Sequence, residues 1–325
     1  MRGYSLTVFN AETNAMSEYR NSAQSVTYTT NRTGSPGKLT FECVADSLGN
    51  LTEGAQVQLT VNGRQMFKGY IFTVQFTRWG VFSITAYDQL RYLKANASYS
   101  FVGKSLGEII QQIAADFRLE VGTLDDTGYV IPTLTKEDKS CMDIIDYGLA
   151  ITQNNTGRTF VFYDDFGRLS LQEAIKLKSM DIIGDSSLLT EYTYKSDIDS
   201  GTYNRVKLAR PNKETGKADI YQFEDSATQQ KWGLLQYYKK VDENLNEAQI
   251  EQQGNMLMAY YNRVLKTINV DAMGSPDVRA GSVVCFRISD IPELKTGYFL
   301  LADKVTHKFE NKVHTMSIEA RILTI

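Results

Sequence analysis

The chain has 325 residues, 42% of them hydrophobic, and a formal net charge of −3 at pH 7. This suits two or three domains with real cores, and the mild acidity argues against a reader of nucleic acid, which carries a basic patch or stripe. Three cysteines with no C-x-x-C pair and only two histidines argue against zinc; no apolar run is long enough to span a membrane, and the opening MRGYSLTVFNAETN lacks the charged start and apolar core of a signal peptide.

Residues 1–98 read as β. Segments 38–44, 55–61, 68–77 and 81–87 are rich in Val, Thr, Tyr and Phe, and QVQLTV at 56–61 alternates polar and apolar with period two. Asn62-Gly63 beside that strand is a tight-turn signal, and Trp79-Gly80 sits where the next hairpin turns. Residues 99–190 change character into a small α+β domain. Ser105-Leu-Gly-Glu108 is a capping box opening a helix to about Phe117, with Ile109, Ile110, Ile113 and Phe117 on one face. A second helix is expected over 141–151 with Met142, Ile144, Ile145 and Leu149 as its apolar side. A hairpin follows, 159–163 and 168–172, turning through Asp164-Asp165-Phe166-Gly167.

Residues 191–265 form linking strands and a helical insertion. Strands are expected at 189–195, 203–209 and 218–223, with a turn at 212–216. Asp225 or Ser226 caps a short helix. A longer helix is expected over 247–265, from Ile250, Leu257, Tyr261, Val264 and Leu265. Residues 266–325 return to β, with strands at 267–272, 282–288, 298–309 and 312–322. N-x-Ser/Thr matches at Asn31, Asn50, Asn96 and Asn154 are chance occurrences without a secretory signal.

The first and last β regions look like two copies of one unit. LTFECV at 39–44 matches INVDAM at 268–273. Gly54 with its following strand matches Gly281 with its own, Gly69-Tyr70 matches Gly297-Tyr298, and the strand around Ser83 matches that around Ser317. The offsets are 227 residues at Gly54/Gly281, 228 at Gly69/Gly297 and 234 at Ser83/Ser317. Co-linearity carries the argument, because each match alone is weak. The fold class expected is therefore α+β, mainly β: two similar β-barrel-like tube domains (1–98, and 266–325 with strands from 191–223), with the α+β domain and the helical insertion between them.

A β unit near each end, an α+β insert, and the closing pattern G-x-V-V-x-F, T-G-Y-F and V-x-H-x-F…H-x-M-S-I resemble one family, as do AYDQLRYL at 86–93, YSFVGKSLGEII at 99–110 and KWG at 231–233. It is the baseplate hub protein of contractile phage tails and phage-tail-like bacteriocins, typified by the PBSX-like prophage hub and related to late-control protein D and the T-even phage hub. The resemblance implies a structural, non-enzymatic homotrimer whose two β domains per chain make a pseudo-sixfold ring. It implies the tail tube protein, a trimeric spike protein and other baseplate proteins as partners, with DNA at most passing through the lumen. It implies a virion or tail-like particle assembled in the bacterial cytoplasm, with no cofactor and no membrane insertion. Lumen-facing residues are then expected to be acidic or neutral, since a basic lining would grip phosphates.

Other chemistry finds little support. His307 and His314 flank the turn at Glu310-Asn311-Lys312, and Asp303 lies on the same strand, but a catalytic metal takes three protein ligands and no H-E-x-x-H exists. Asp164-Asp165, Glu173, Asp197 and Asp199 are the carboxylates a glycosidase reading would use; beside Gly and Phe in a hairpin they are more simply turn formers. Gly103-Lys104-Ser105 ends like a phosphate loop, but Ser98 stands where its first glycine is needed. Cys43, Cys141 and Cys285 read as buried or half-buried thiols. Nineteen tyrosines, with pairs Tyr237-Tyr238 and Tyr260-Tyr261, suit burial or protein contact. A tail-associated peptidoglycan hydrolase and a glycan-binding tail-tip module are the alternatives. The chain ends just after the last β unit, leaving no room for an appended hydrolase domain.

Overall fold

In the computed structural model, residues 3–19, 22–44, 49, 51–213, 216–311 and 313–322 are described. Asn50, Lys312 and the middle of the 212–216 turn lie outside these residues. The chain divides into two compact units, Met1–Thr193 with Ile268–Arg321, and Tyr194–Thr267 with Ile322–Ile325.

The first unit is built on one long mixed sheet. Its spatial order runs Leu189–Asp197, Leu265–Met273, Val313–Ile322, Tyr298–Glu310, Ala23–Asn31, Lys38–Val44, Val81–Tyr87, Arg64–Phe76, Gln56–Val61, Tyr4–Asn10 and Ala15–Glu18; Val283–Arg287 pairs beside Tyr298–Glu310, and Lys178–Gly184 pairs in turn with Val283–Arg287. Two similar β units are visible in that order. The strands Ala23–Asn31, Lys38–Val44, Val81–Tyr87, Arg64–Phe76 and Gln56–Val61 recur as Leu189–Asp197, Leu265–Met273, Val313–Ile322, Tyr298–Glu310 and Val283–Arg287. Among the described residues the sheet is open rather than closed into barrels, and the two β units are continuous with one another.

Sequence explains most of these strands. Leu6, Val8, Leu39, Phe41, Val57, Leu59, Phe67, Ile71 and Ile84 alternate with exposed or half-exposed neighbours and fill one core, each worth about 1.5–3 kcal/mol when fully buried. Asn62 and Gly63 both take positive φ (53° and 81°), the conformation of a two-residue hairpin turn.

The small α+β domain contains α1 (Leu106–Asp116) and α2 (Cys141–Thr156). Ser105 Oγ accepts the Glu108 N–H at 3.3 Å, and Glu108 returns the bond to the Ser105 N–H at 2.8 Å. α2 continues past the expected Ile151 to Thr156, where Gly157 ends it with a left-handed φ of 68°. The hairpin Phe160–Asp164 and Leu169–Glu173 forms as expected. The paired strands Asn96–Ser105 and Val130–Ser140 escaped the sequence reading. Residues 96–101 do alternate exposed and covered positions, whereas Val130–Ser140 carries no sustained alternation, and Val102 and Val130 are exposed.

The second unit is a three-stranded sheet of Ala218–Glu224, Arg205–Pro211 and Gln236–Lys240 with α3 (Ser226–Trp232) and α4 (Glu247–Tyr261). Asp225 caps α3 through bonds from the Ala227 and Thr228 N–H groups. Ile250 of α4 packs with Val206, Leu208 and Val241. α4 stops at Tyr261 rather than Leu265. The Arg263 carbonyl accepts a 2.8 Å bond from Thr202 Oγ1, and Leu265 opens the next strand.

Candidate functional site

The feature that organises the first unit is the joint between its two β units. Strand Tyr298–Glu310 is too long for one neighbour. Its first residues pair with Val283–Arg287, from Val283↔Leu301 to Phe286↔Tyr298. After a bulge at Asp303 it pairs with Ala23–Asn31, from Lys304↔Asn31 to Phe309↔Val26. A bulge bends and twists a strand, which lets it change partner. The joint is reinforced by side chains. Thr29 Oγ1 and Thr306 Oγ1 are 3.2 Å apart, and the Tyr28 ring stacks on His307 with centroids 6.2 Å apart. Asp303 accepts bonds from Arg32 Nε at 2.7 Å and Arg321 Nε at 2.8 Å.

The internal match can now be followed through hydrogen bonds. The Gly54 N–H donates to the Ile71 carbonyl at 2.8 Å, and the Gly281 N–H to the Ala302 carbonyl at 2.8 Å. Both glycines take positive φ, 81° and 89°. The bulge falls at Phe72 in the first unit and Asp303 in the second, and the following pairs are Gln75↔Ser83 and Thr306↔Ser317. Gly54 thus corresponds to Gly281 and Ser83 to Ser317. Gly69-Tyr70 does not correspond to Gly297-Tyr298. Gly69 lies mid-strand opposite Val57, a place held in the second unit by Leu300 opposite Val284. Gly297 precedes its strand with φ 91°. The cause is loop length: the second unit joins Val283–Arg287 to Tyr298–Glu310 by ten residues, Ile288 to Gly297, where the first uses Asn62-Gly63.

His307 and His314 do meet, with Nδ1 and Nε2 3.0 Å apart, on diagonal rather than directly opposed positions. His307 Nε2 is 2.8 Å from the Val278 carbonyl. A carbonyl only accepts, so Nε2 of neutral His307 carries the proton and Nδ1 receives the His314 N–H. Burial lowers His307 to about 3, helped by His314, and lowers His314 to about 4. Asp303 serves the two arginines instead, so the trio does not form a ligand set, and no metal-competent cluster occurs among the described residues.

The acidic candidates are structural in their contacts. Asp164 is 5% exposed, and its Oδ1 accepts the Gly167 N–H at 2.7 Å. Burial raises its pKa to about 6, with the Asp165 charge adding to the rise, and burial together with the Asp164 charge pushes Asp88 well above the usual carboxylate range. Arg279 lies over the Tyr163 ring at 3.9 Å and donates to the Asp164 carbonyl at 2.9 Å. Asp165 is exposed. Glu173 is held by Arg158 at 3.0 and 2.7 Å, and Asp197 accepts the Asp199 and Ser200 N–H groups. Ser105 of the false phosphate loop is the helix cap already described. Cys43 and Cys141 are buried and Cys285 half-buried, all free. Tyr203, Tyr237 and Tyr261 cluster in tilted and edge-on contacts, while Tyr238 and Tyr260 stay exposed. A cleft of about 390 Å³ is lined by Tyr163 and Phe166 but also by Arg64, Lys176, Lys178 and Asp277, and so is more charged than aromatic.

Comparison with known proteins gives one consistent answer. A YqbQ-like family model matches residues 26–321. YqbQ of Bacillus subtilis (strain 168) is 32% identical over 274 residues, covering 83% of this chain and 82% of the relative. The phage-like element PBSX protein XkdQ of the same strain is 31% identical over 274 residues with the same coverage. Among solved structures, the prophage MuSo2 43 kDa tail protein from Shewanella oneidensis superposes with a TM-score of 0.71 at 12% identity, over 98% of each chain. The last likeness establishes shared fold.

Proposed function

The chain belongs to the YqbQ-like family, and on that premise we propose that it is a structural subunit of a phage-tail baseplate hub. Three copies assemble as a ring. Two β units per copy give six similar wall segments, which meet a hexameric tail tube on one face and a trimeric spike on the other. The tail tube protein, the spike protein and other baseplate proteins are the partners, and DNA at most passes through the lumen. The particle is a virion or a phage-tail-like one, assembled in the bacterial cytoplasm.

The observation that carries this reading is the in-chain joint between two like β units. Neighbouring wall segments of a ring must pair edge to edge, and the pairing of Lys304↔Asn31 through Phe309↔Val26 is one such contact. Pairing also hides strand edges that would otherwise template aggregation. The likeness to PBSX protein XkdQ supports the same reading. The hydrolase alternative would use Asp164, whose carboxylate is nearly fully buried. Native mass spectrometry of concentrated protein tests the proposal. A trimer with six similar lobes in averaged electron micrographs is expected, and a stable monomer at high concentration would sink it.

A further inference from the structure

The correspondence between the β units leaves one position filled in the second and open in the first. Phe72, Val74 and Phe76 correspond to Asp303, Val305 and His307. In the second unit those three residues turn their backbone groups toward Ala23–Asn31. The Arg32 N–H bonds to the Asp303 carbonyl, and the alternation of antiparallel pairs then directs Val305 and His307 the same way. His307, stacked on Tyr28 of that strand and bonded to the Val278 carbonyl, is 0% exposed.

In the first unit the Thr77 N–H bonds to the Val81 carbonyl. The same alternation turns Gln75 and Thr73 toward Val81–Tyr87, and Val74 and Phe76 outward. Strand Gln56–Val61 ends its pairing at Tyr70, and among the described residues no strand pairs with that outer edge at 73–76. Phe76, the counterpart of fully buried His307, is 64% exposed, and Trp79 in the turn that follows is also exposed. The complementary vacancy lies at the far end of the sheet. Leu189–Asp197 corresponds to Ala23–Asn31, yet it pairs only with Leu265–Met273 among the described strands.

We infer that the outer edge of residues 73–76 pairs antiparallel with residues 194–197 of a second copy of this chain, repeating between copies the joint that Tyr298–Glu310 makes within one. This rests on the ring proposed above and names the contact that closes it. A head-to-tail contact of this kind uses two different surfaces, so every copy offers one free edge and accepts one.

Two measurements on the full chain test it. Gln75 corresponds to Thr306, whose hydroxyl faces Thr29 across the in-chain joint. Gln75→Cys is therefore combined in turn with Thr193→Cys, Tyr194→Cys, Lys195→Cys and Ser196→Cys, which bracket the counterpart of Thr29. Under mild oxidation, at least one double variant should form covalent dimers and trimers on a non-reducing gel, and no single variant should. Phe76→Pro removes an outward N–H while leaving the inward ladder intact. It should raise the concentration at which the assembly dissociates by about tenfold or more, the factor expected from one backbone hydrogen bond left unmade. The joint is wrong if the wild-type chain is a trimer by mass, none of the four double variants crosslinks and Phe76→Pro dissociates at the wild-type concentration. A monomeric wild type overturns the ring itself, which is a different failure.

Discussion

Gly54 and Gly281 separate two costs that usually come mixed. Both take positive φ, but a Cβ on Gly54 would meet nothing within 4 Å, whereas one on Gly281 would lie 2.4 Å from Val161 Cγ1. Gly54→Ala should cost about 1–2 kcal/mol from backbone conformation alone. Gly281→Ala should cost more, by about 1–3 kcal/mol of overpacking, and denaturant midpoints would read the difference. The buried titratable groups pull in opposite directions. The histidines sit below the ordinary imidazole value of 6.5. The unfolded chain therefore binds more protons than the folded one between about pH 6.5 and 3, and stability falls as pH drops through that window. His314→Gln keeps a donor for His307 but cannot titrate, so its melting temperature should fall less steeply from pH 6 to 4. Asp164 is raised from 3.8 to about 6. The folded chain then holds the extra proton between those values, and stability is lost as pH rises through them. Asp164→Asn should stabilise by about 1–3 kcal/mol at pH 7 and give no gain below pH 4, measured by thermal melts across that range.

At the level of elements, the joint depends on the bulge at Asp303. Its carboxylate is shared by Arg32 from one β unit and Arg321 from the other, and is only 23% exposed. Asp303→Ala leaves two cations facing each other and should lower stability by about 1–3 kcal/mol in urea titrations, more than an ordinary surface pair contributes. The sequence revealed elements where periodicity or capping was strong: QVQLTV, the Ser105 capping box, and Asn62-Gly63. It missed Asn96–Ser105 and Val130–Ser140: the alternation of NASYSF at 96–101 is short and stops at exposed Val102, and Val130–Ser140 exposes much of both faces. It overextended α4, because Val264 and Leu265 continue a helical spacing, whereas Thr202, in the loop before Arg205–Pro211, takes up the Arg263 carbonyl. The Gly69/Gly297 match failed for a related reason: similar letters, G-Y before a hydrophobic pair, fell inside a strand in one unit and at the end of a lengthened loop in the other.

For the whole molecule, the duplication was legible because a repeated strand order imposes repeated apolar spacing on the chain. The joint was not legible. Nothing in residues 26–31 or 304–309 says that these two strands, and not others, are neighbours, because antiparallel pairing uses backbone groups that every residue carries. The open edge at Val74 and Phe76 became visible only when the two units were compared strand by strand. An assembly held by such edges should respond weakly to salt. Backbone bonds carry no net charge, so the trimer expected above should persist at 0.5 M NaCl in sedimentation velocity, at an ionic strength (about 0.5 M) where exposed ion pairs are largely screened.

The pairing of Ala23–Asn31 with Tyr298–Glu310 also fixes an order of events during synthesis. The two strands lie some 275 residues apart in the chain. An emerging polypeptide therefore carries one bare strand flank until nearly all of it has left the ribosome. Contacts so distant in sequence form late and slow folding. Prematurely terminated chains should then be the species that clump, and the final hairpin acts as the clasp that makes a newborn subunit safe to store.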